Sequence, residues 1–159
     1  NDVREISHPQ VAKRANITII TSSLILILAG IIALVQWSAT AGAVIIVAGA
    51  ITYLIKPKIE VYEPTGCHIG RRTFYVTSEK SQAIKTILEG ELNDSVEALQ
   101  FLQQGGTRLD VLLTKDKDFA AWQLFHFVPH KYEPMSKVYT LTGPPAVQFA
   151  RFIDRSAKV

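Results

Sequence analysis

From Ile17 to Ile55 the chain carries no charged residue; Arg14 is the last charge before this stretch and Lys56 the next after it. The apolar run Ile17–Val35 (ITIITSSLILILAGIIALV) is followed by Gln36, Trp37 and Ser38, and then by Ala39–Ile55 (ATAGAVIIVAGAITYLI). A helix needs about 20 mostly apolar residues to span a bilayer, and the uncharged stretch is about twice that length. The pattern predicts a transmembrane hairpin over residues 17–56, with helices at 17–35 and 39–55. A link this short makes the two helices antiparallel neighbours. Pro57 ends the second helix, because proline cannot continue a helix without losing a backbone bond.

The flanks orient the hairpin. Lys13 and Arg14 precede it, Lys56 and Lys58 follow it, and the tip carries no charge. Basic residues favour the cytoplasmic side, so both termini are expected there, in the inner (cytoplasmic) membrane of a bacterium. Trp37 at the tip and Tyr53 near the open end are placed as interfacial anchors, with Lys13, Arg14, Lys56 and Lys58 as charged ones. The first run is too long for the apolar region of a signal peptide, and a second run follows at once.

Small residues recur on both helices. Ala29 and Ala33 stand four apart, as do Ala39 and Ala43; Gly42 and Gly49 stand seven apart, as do Ala43 and Ala50. Such rows let helix backbones approach closely. They suit packing of the hairpin against itself, and also docking of a partner's transmembrane helix or of a second copy. Neither span holds an Asp, Glu, Lys, Arg or His, which argues against a proton relay or an ion-coupled transporter.

Residues 1–16 are expected to be a cytoplasmic segment and residues 57–159 a soluble domain. In that domain, alternation and turn residues predict strands at 59–62 and 72–77. A helix is expected over about 79–89, capped by Ser78 and stopped by Gly90. A second helix is expected from Asn93 or Asp94, with Val96, Leu99 and Leu102 inward and Gly105-Gly106 as its end. Strands follow at 108–114, 119–128 and 137–142, and a last helix spans Pro145 to about Arg155. The order β-β-α-α-β-β-β-α gives an α+β fold with a mostly antiparallel sheet. Phe119–Val128 (FAAWQLFHFV) is apolar on both faces and reads as the central strand. An apolar face left uncovered by the helices would call for a protein partner.

Composition narrows the function classes. The net charge is +3, yet residues 59–159 balance twelve Lys+Arg against twelve Asp+Glu. The basic surplus therefore lies at the membrane edges, and no nucleic-acid partner is expected. Cys67 is the single cysteine, so there is no internal disulfide framework. Cys67, His68, His126 and His130 lack the paired ligand spacing of a zinc site, and no metal or cofactor is expected. No nucleophile motif, phosphate loop or metalloprotease signature is present, so no catalytic residue is assigned.

These readings favour a non-catalytic accessory or scaffold subunit of a larger membrane assembly. Its partners would be the lipid bilayer and either an integral membrane protein or a second copy. One alternative is a homo-oligomeric channel or membrane effector with Thr18, Thr21 and Ser22 facing a pore. Another is a membrane-tethered enzyme using Cys67.

Overall fold

The computed structural model describes residues 6–55, 58–90, 92 and 98–158. The chain divides into two compact units, one of residues 1–11 with 61–159 and one of residues 12–60.

The second unit is built on two helices, α1 (Ile17–Gln36) and α2 (Ala39–Ile55). Asn16 caps α1 by accepting the N–H of Ile19 on its side-chain oxygen, satisfying one of the free donors of the first turn. The turn between the helices is tight: the N–H groups of both Trp37 and Ser38 donate to the carbonyl of Ala33. The helices run antiparallel, and what lies between them is small. Ser23, Gly30 and Ala33 of α1 are buried, as are Gly42 and Gly49 of α2. A Cβ on Gly42 would stand 2.5 Å from the Cα of Leu34, and one on Gly30 would stand 2.8 Å from the backbone nitrogen of Ile46. Only glycine permits backbones this close. Of the two helices, α1 is long and apolar enough to cross a membrane, and α2 is a shorter apolar helix.

The first unit carries most of an antiparallel sheet. Its strands, counted with those that lead into and out of the helices, are β1 (Val11–Ala15), β2 (Lys58–Tyr62), β3 (Cys67–Val76), β4 (Thr107–Thr114), β5 (Phe119–Val128), β6 (Lys131–Pro134) and β7 (Tyr139–Thr142). They lie in the order β1-β2-β3-β4-β5-β6, with β7 also on β5. The long β5 is central. It pairs β4 along seven residues, while β6 takes Phe125–Val128 and β7 takes Phe119–Trp122 on its other side. Two helices, α3 (Ser81–Glu89) and α4 (Pro144–Ser156), supply the apolar stripes that cover one face. There Leu109, Val111, Trp122 and Leu124 of the sheet meet Ile84, Leu88, Phe149 and Ile153 of the helices. Burial of these apolar side chains is the main stabilising contribution on this face.

The α+β class and the antiparallel sheet agree with the sequence reading. Several elements differ. Residues 98–104 are not helical, although the sequence predicts a helix reaching them; Leu102 forms an isolated bridge with Tyr75 instead. Its N–H donates to the Tyr75 carbonyl, so the end of β3 wins a polar group that a helix would have used internally. The expected caps Asn93 and Asp94, with Val96, lie outside the described residues. Helix α3 is preceded by a 3-10 turn at Ser78–Lys80, so Ser78 is not its cap. Strand β3 begins at Cys67 and not in the low seventies, because Thr65 and Gly66 complete a tight turn just before it. Strands β1 and β6 are additions. Pro134 is tolerated because β6 lies at the sheet edge.

Candidate functional site

On the face of the sheet away from α3 and α4, the strands bring together a charged centre. In β4, Arg108 and Asp110 alternate with Leu109 and Val111, so they share one face. Both are buried, with side chains 4% and 3% exposed. Arg108 grips Asp110 with two nitrogens: Nε lies 3.1 Å from Oδ1, and Nη2 donates to Oδ2 at 3.1 Å. The guanidinium lies over the rings of Phe125 and Tyr132, 4.6 and 4.9 Å from their centroids. Its weakly hydrated plane tolerates such contact better than an ammonium would. Tyr132 is itself held by a hydrogen bond from its hydroxyl to the Gly105 carbonyl.

Asp110 gathers further donors. Thr73 Oγ1 donates to Oδ1 at 3.2 Å, and the Ile6 N–H donates to Oδ2 at 3.4 Å. Burial pushes its carboxyl above the usual range; Arg108, Thr73 and Ile6 pull the other way. Arg71 adds a hydrogen bond from Nη1 to the Ile6 carbonyl at 3.1 Å.

The same face is covered by the chain's own N-terminal segment. Ile6 packs with Tyr62, Leu112, Phe119 and Ala121. His8 sets its ring edge-on to Phe119, with centroids 5.2 Å apart, and Tyr62 stacks on Phe119 at 4.0 Å. Phe119 and Ala121 are therefore buried, Phe125 is buried under the Arg108 guanidinium, and of the β5 residues on this face Phe127 is the exposed aromatic. The apolar second face that the sequence shows on β5 is thus largely covered from within the chain. The three residues Arg108, Asp110 and Ile6 escape a sequence reading because RLDVLLT looks like a strand with one wet face. The available signal was Phe119 and Phe125, which demand a cover on the face where Arg108 and Asp110 lie.

The expected helix-packing residues separate into two groups. Ala33, Gly42 and Gly49 lie at the contact between α1 and α2, joined by Ser23 and Gly30. Ala29, Ala39, Ala43 and Ala50 point outward and are exposed. Trp37 is 85% exposed at the turn, and Tyr53 is exposed on α2. Lys13 and Arg14 are exposed on β1, and Lys58 is exposed at the start of β2. Lys56 lies outside the described residues. Ser22 returns its hydroxyl to the Thr18 carbonyl of its own helix at 2.8 Å.

Cys67 and His68 lie on β3, not in a loop. The Cys67 thiol donates to Oδ2 of Asp116 at 2.8 Å. That hydrogen bond raises the thiol pKa and lowers that of Asp116, the reverse of an activated nucleophile. His130 occupies the turn between β5 and β6 with φ 71°, a left-handed conformation that histidine adopts more readily than most residues. Among the described residues, no three His, Cys, Asp or Glu side chains gather as metal ligands do.

A cleft of about 480 Å³ opens between the end of α3, the start of α4 and the β5–β7 pair. Trp122 and Tyr139 stack along it with rings 4.3 Å apart, and the Tyr139 hydroxyl is bonded to Glu89 at its rim. No family model matches this chain, and neither does any curated protein or solved structure.

Proposed function

We propose that this chain is a membrane-anchored, non-catalytic accessory or scaffold subunit of a larger inner-membrane assembly. In this reading α1 and α2 form a transmembrane hairpin, and the sheet unit is a cytoplasmic interaction module. The observation that carries it is the inversion of the helix pair: small residues are inside, and large apolar ones such as Ile25 (61% exposed), Val35 (80%) and Leu54 (74%) are outside. A core helix of a water-soluble protein buries its large side chains. A helix that turns them outward needs lipid or partner helices around it. The outward Ala29, Ala39, Ala43 and Ala50 leave low ground where a partner helix can approach.

The bond from the Cys67 thiol to Asp116 weighs against a thiol enzyme. The Ser22 hydroxyl, spent on its own helix, weighs against a polar pore lining. The test is purification of the tagged protein from its native membrane in mild detergent, with mass spectrometry of what accompanies it. A stoichiometric membrane protein partner is the expected result. A homo-oligomer without companion contradicts the reading and favours the channel.

A further inference from the structure

Ile6 is held as a bound peptide residue is held. Its side chain, 1% exposed, fills an apolar recess formed by Tyr62, Leu112, Phe119 and Ala121. Its N–H donates to Asp110 and its carbonyl accepts from Arg71. Peptide-recognition surfaces combine these same two elements: a pocket for one side chain, and groups that read the backbone on either side of it.

The receptor half of this contact is built by other residues. Asp110 is fixed by the two-nitrogen grip of Arg108 and by Thr73. Arg108 is fixed in turn by the rings of Phe125 and Tyr132. The segment itself is irregular. Residues 6–8 belong to no helix or strand. Among the described residues, His8 and Thr140 share a hydrogen bond, the Tyr62 hydroxyl and the Glu63 N–H donate to Gln10, and the His8 ring meets Phe119 edge-on. A charged, apolar-walled receptor thus faces a short irregular ligand.

We propose that this face of β3, β4 and β5 is a docking site for an extended peptide segment bearing a branched aliphatic residue. The chain's own Ile6 occupies it in cis, and residues 6–10 act as an intramolecular competitor. A partner segment must offer the chemistry that Ile6 offers: an aliphatic side chain flanked by a free N–H and a free carbonyl. The site deepens the interaction-module reading and rests on it for its purpose.

The test uses the full-length protein in detergent and a fluorescent synthetic peptide with the sequence of residues 1–10. Ile6→Asp removes the competitor's side chain from the recess. The Ile6→Asp protein is expected to bind the peptide saturably, at least about tenfold tighter than wild type, because occupancy in cis lowers apparent affinity in proportion to the competent fraction. The same peptide carrying aspartate at its sixth position is expected not to bind. Equal binding of both peptides, or binding of neither to a protein that still melts cooperatively, overturns the proposal. Loss of the cooperative melt in both Ile6→Asp and the milder Ile6→Gly overturns it as well, since the segment is then core and not ligand. A failed titration beside a co-purifying membrane partner sinks this site alone. Peptide binding without any such partner sinks the accessory-subunit reading alone.

Discussion

Ser23 and Gly49 meet across the helix pair: the Ser23 hydroxyl donates to the Gly49 carbonyl at 2.7 Å, and both residues are buried. This is a bond between two helices through their contact. It requires the absence of a side chain at Gly49 and the presence of a short donor at position 23. The pair therefore has a defined register and not merely a greasy surface.

Removing that bond should weaken the pair modestly. Ser23→Ala is expected to destabilise it by about 0.6 kcal/mol, and by no more than about 1.7, the range for hydrogen bonds between helices in membranes. Gly42→Ile should do more, because its side chain would enter the Leu34 backbone and force the helices apart. Overpacking of this kind costs about 1–3 kcal/mol. Reversible unfolding in detergent micelles, followed by helical circular dichroism, reads both.

The Cys67 thiol should be a slow nucleophile, and Asp116 should be the reason. Its hydrogen bond and its negative charge both disfavour the thiolate. Asp116→Asn is therefore expected to raise the rate of iodoacetamide alkylation at pH 8, while wild type reacts more slowly than a free thiol. An unchanged rate in the variant would remove the assigned cause.

The N-terminal segment should loosen in mild acid through His8. Burial lowers its pKa below the ordinary 6.5, so the folded state favours the neutral ring. Between the lowered value and 6.5 the unfolded chain binds more protons, and stability falls as pH falls through that window. Asp110 has the opposite sign. Its carboxyl is raised by burial, so its contribution improves as the medium becomes acidic. His8→Gln is thus expected to flatten the loss of stability just below pH 6.5 and to leave the more acidic limb in place. Thermal melts of the two proteins across pH 5–7.5 measure the difference.

Helix α4 is tied to the sheet by one carboxylate. Asp154 accepts from Lys117 at 2.9 Å and from Arg72 at 2.6 Å. The Lys117 bond, then the Arg72 bond, lowers its pKa below 3.8, so its contribution is present above that value and is lost as pH falls through the lowered one. All three side chains are about a third exposed or more, which limits the worth of the cluster to about 0.5 kcal/mol, less in high salt. Phe149→Ala, in the covered core of the same helix, should cost about 3–5 kcal/mol. Denaturant melts of Asp154→Asn and Phe149→Ala rank the two.

The parts of the fold legible in the sequence are those written in local periodicity. Residues 119–128 form the central strand with the bounds that their apolar run implies, and α4 buries the row Ala146, Phe149, Ala150 and Ile153 that its spacing presents. The two apolar helices were equally plain. What the sequence hid depends on distant partners. Leu99 and Leu102 share a helical spacing, yet Tyr75 claims the Leu102 backbone. Ile6 precedes the first regular element and reads as tail, yet it fills the recess beside Tyr62 and Phe119 and its N–H reaches Asp110, more than one hundred residues away. Arg108 and Asp110 look like solvent-facing charges because each neutralises the other, a relation that spacing alone does not separate from ordinary surface pairing. In the helices, the row Gly42 and Gly49 and the alanine Ala33 lie at the contact, while Ala29, Ala39, Ala43 and Ala50 face outward and Ser23 and Gly30, which the spacing does not single out, join it.

The membrane hairpin is the claim on which the functional account stands, and its tip tests it most directly. In a Cys67→Ser background, Ser38→Cys places one thiol in the turn between α1 and α2. Intact cells expressing this variant are treated with a membrane-impermeant maleimide. The account predicts labelling of position 38 from outside, with a cysteine at Lys158 labelled only after the cells are opened. Protection of position 38 until lysis, or release of the protein from membranes by alkaline carbonate, would contradict it.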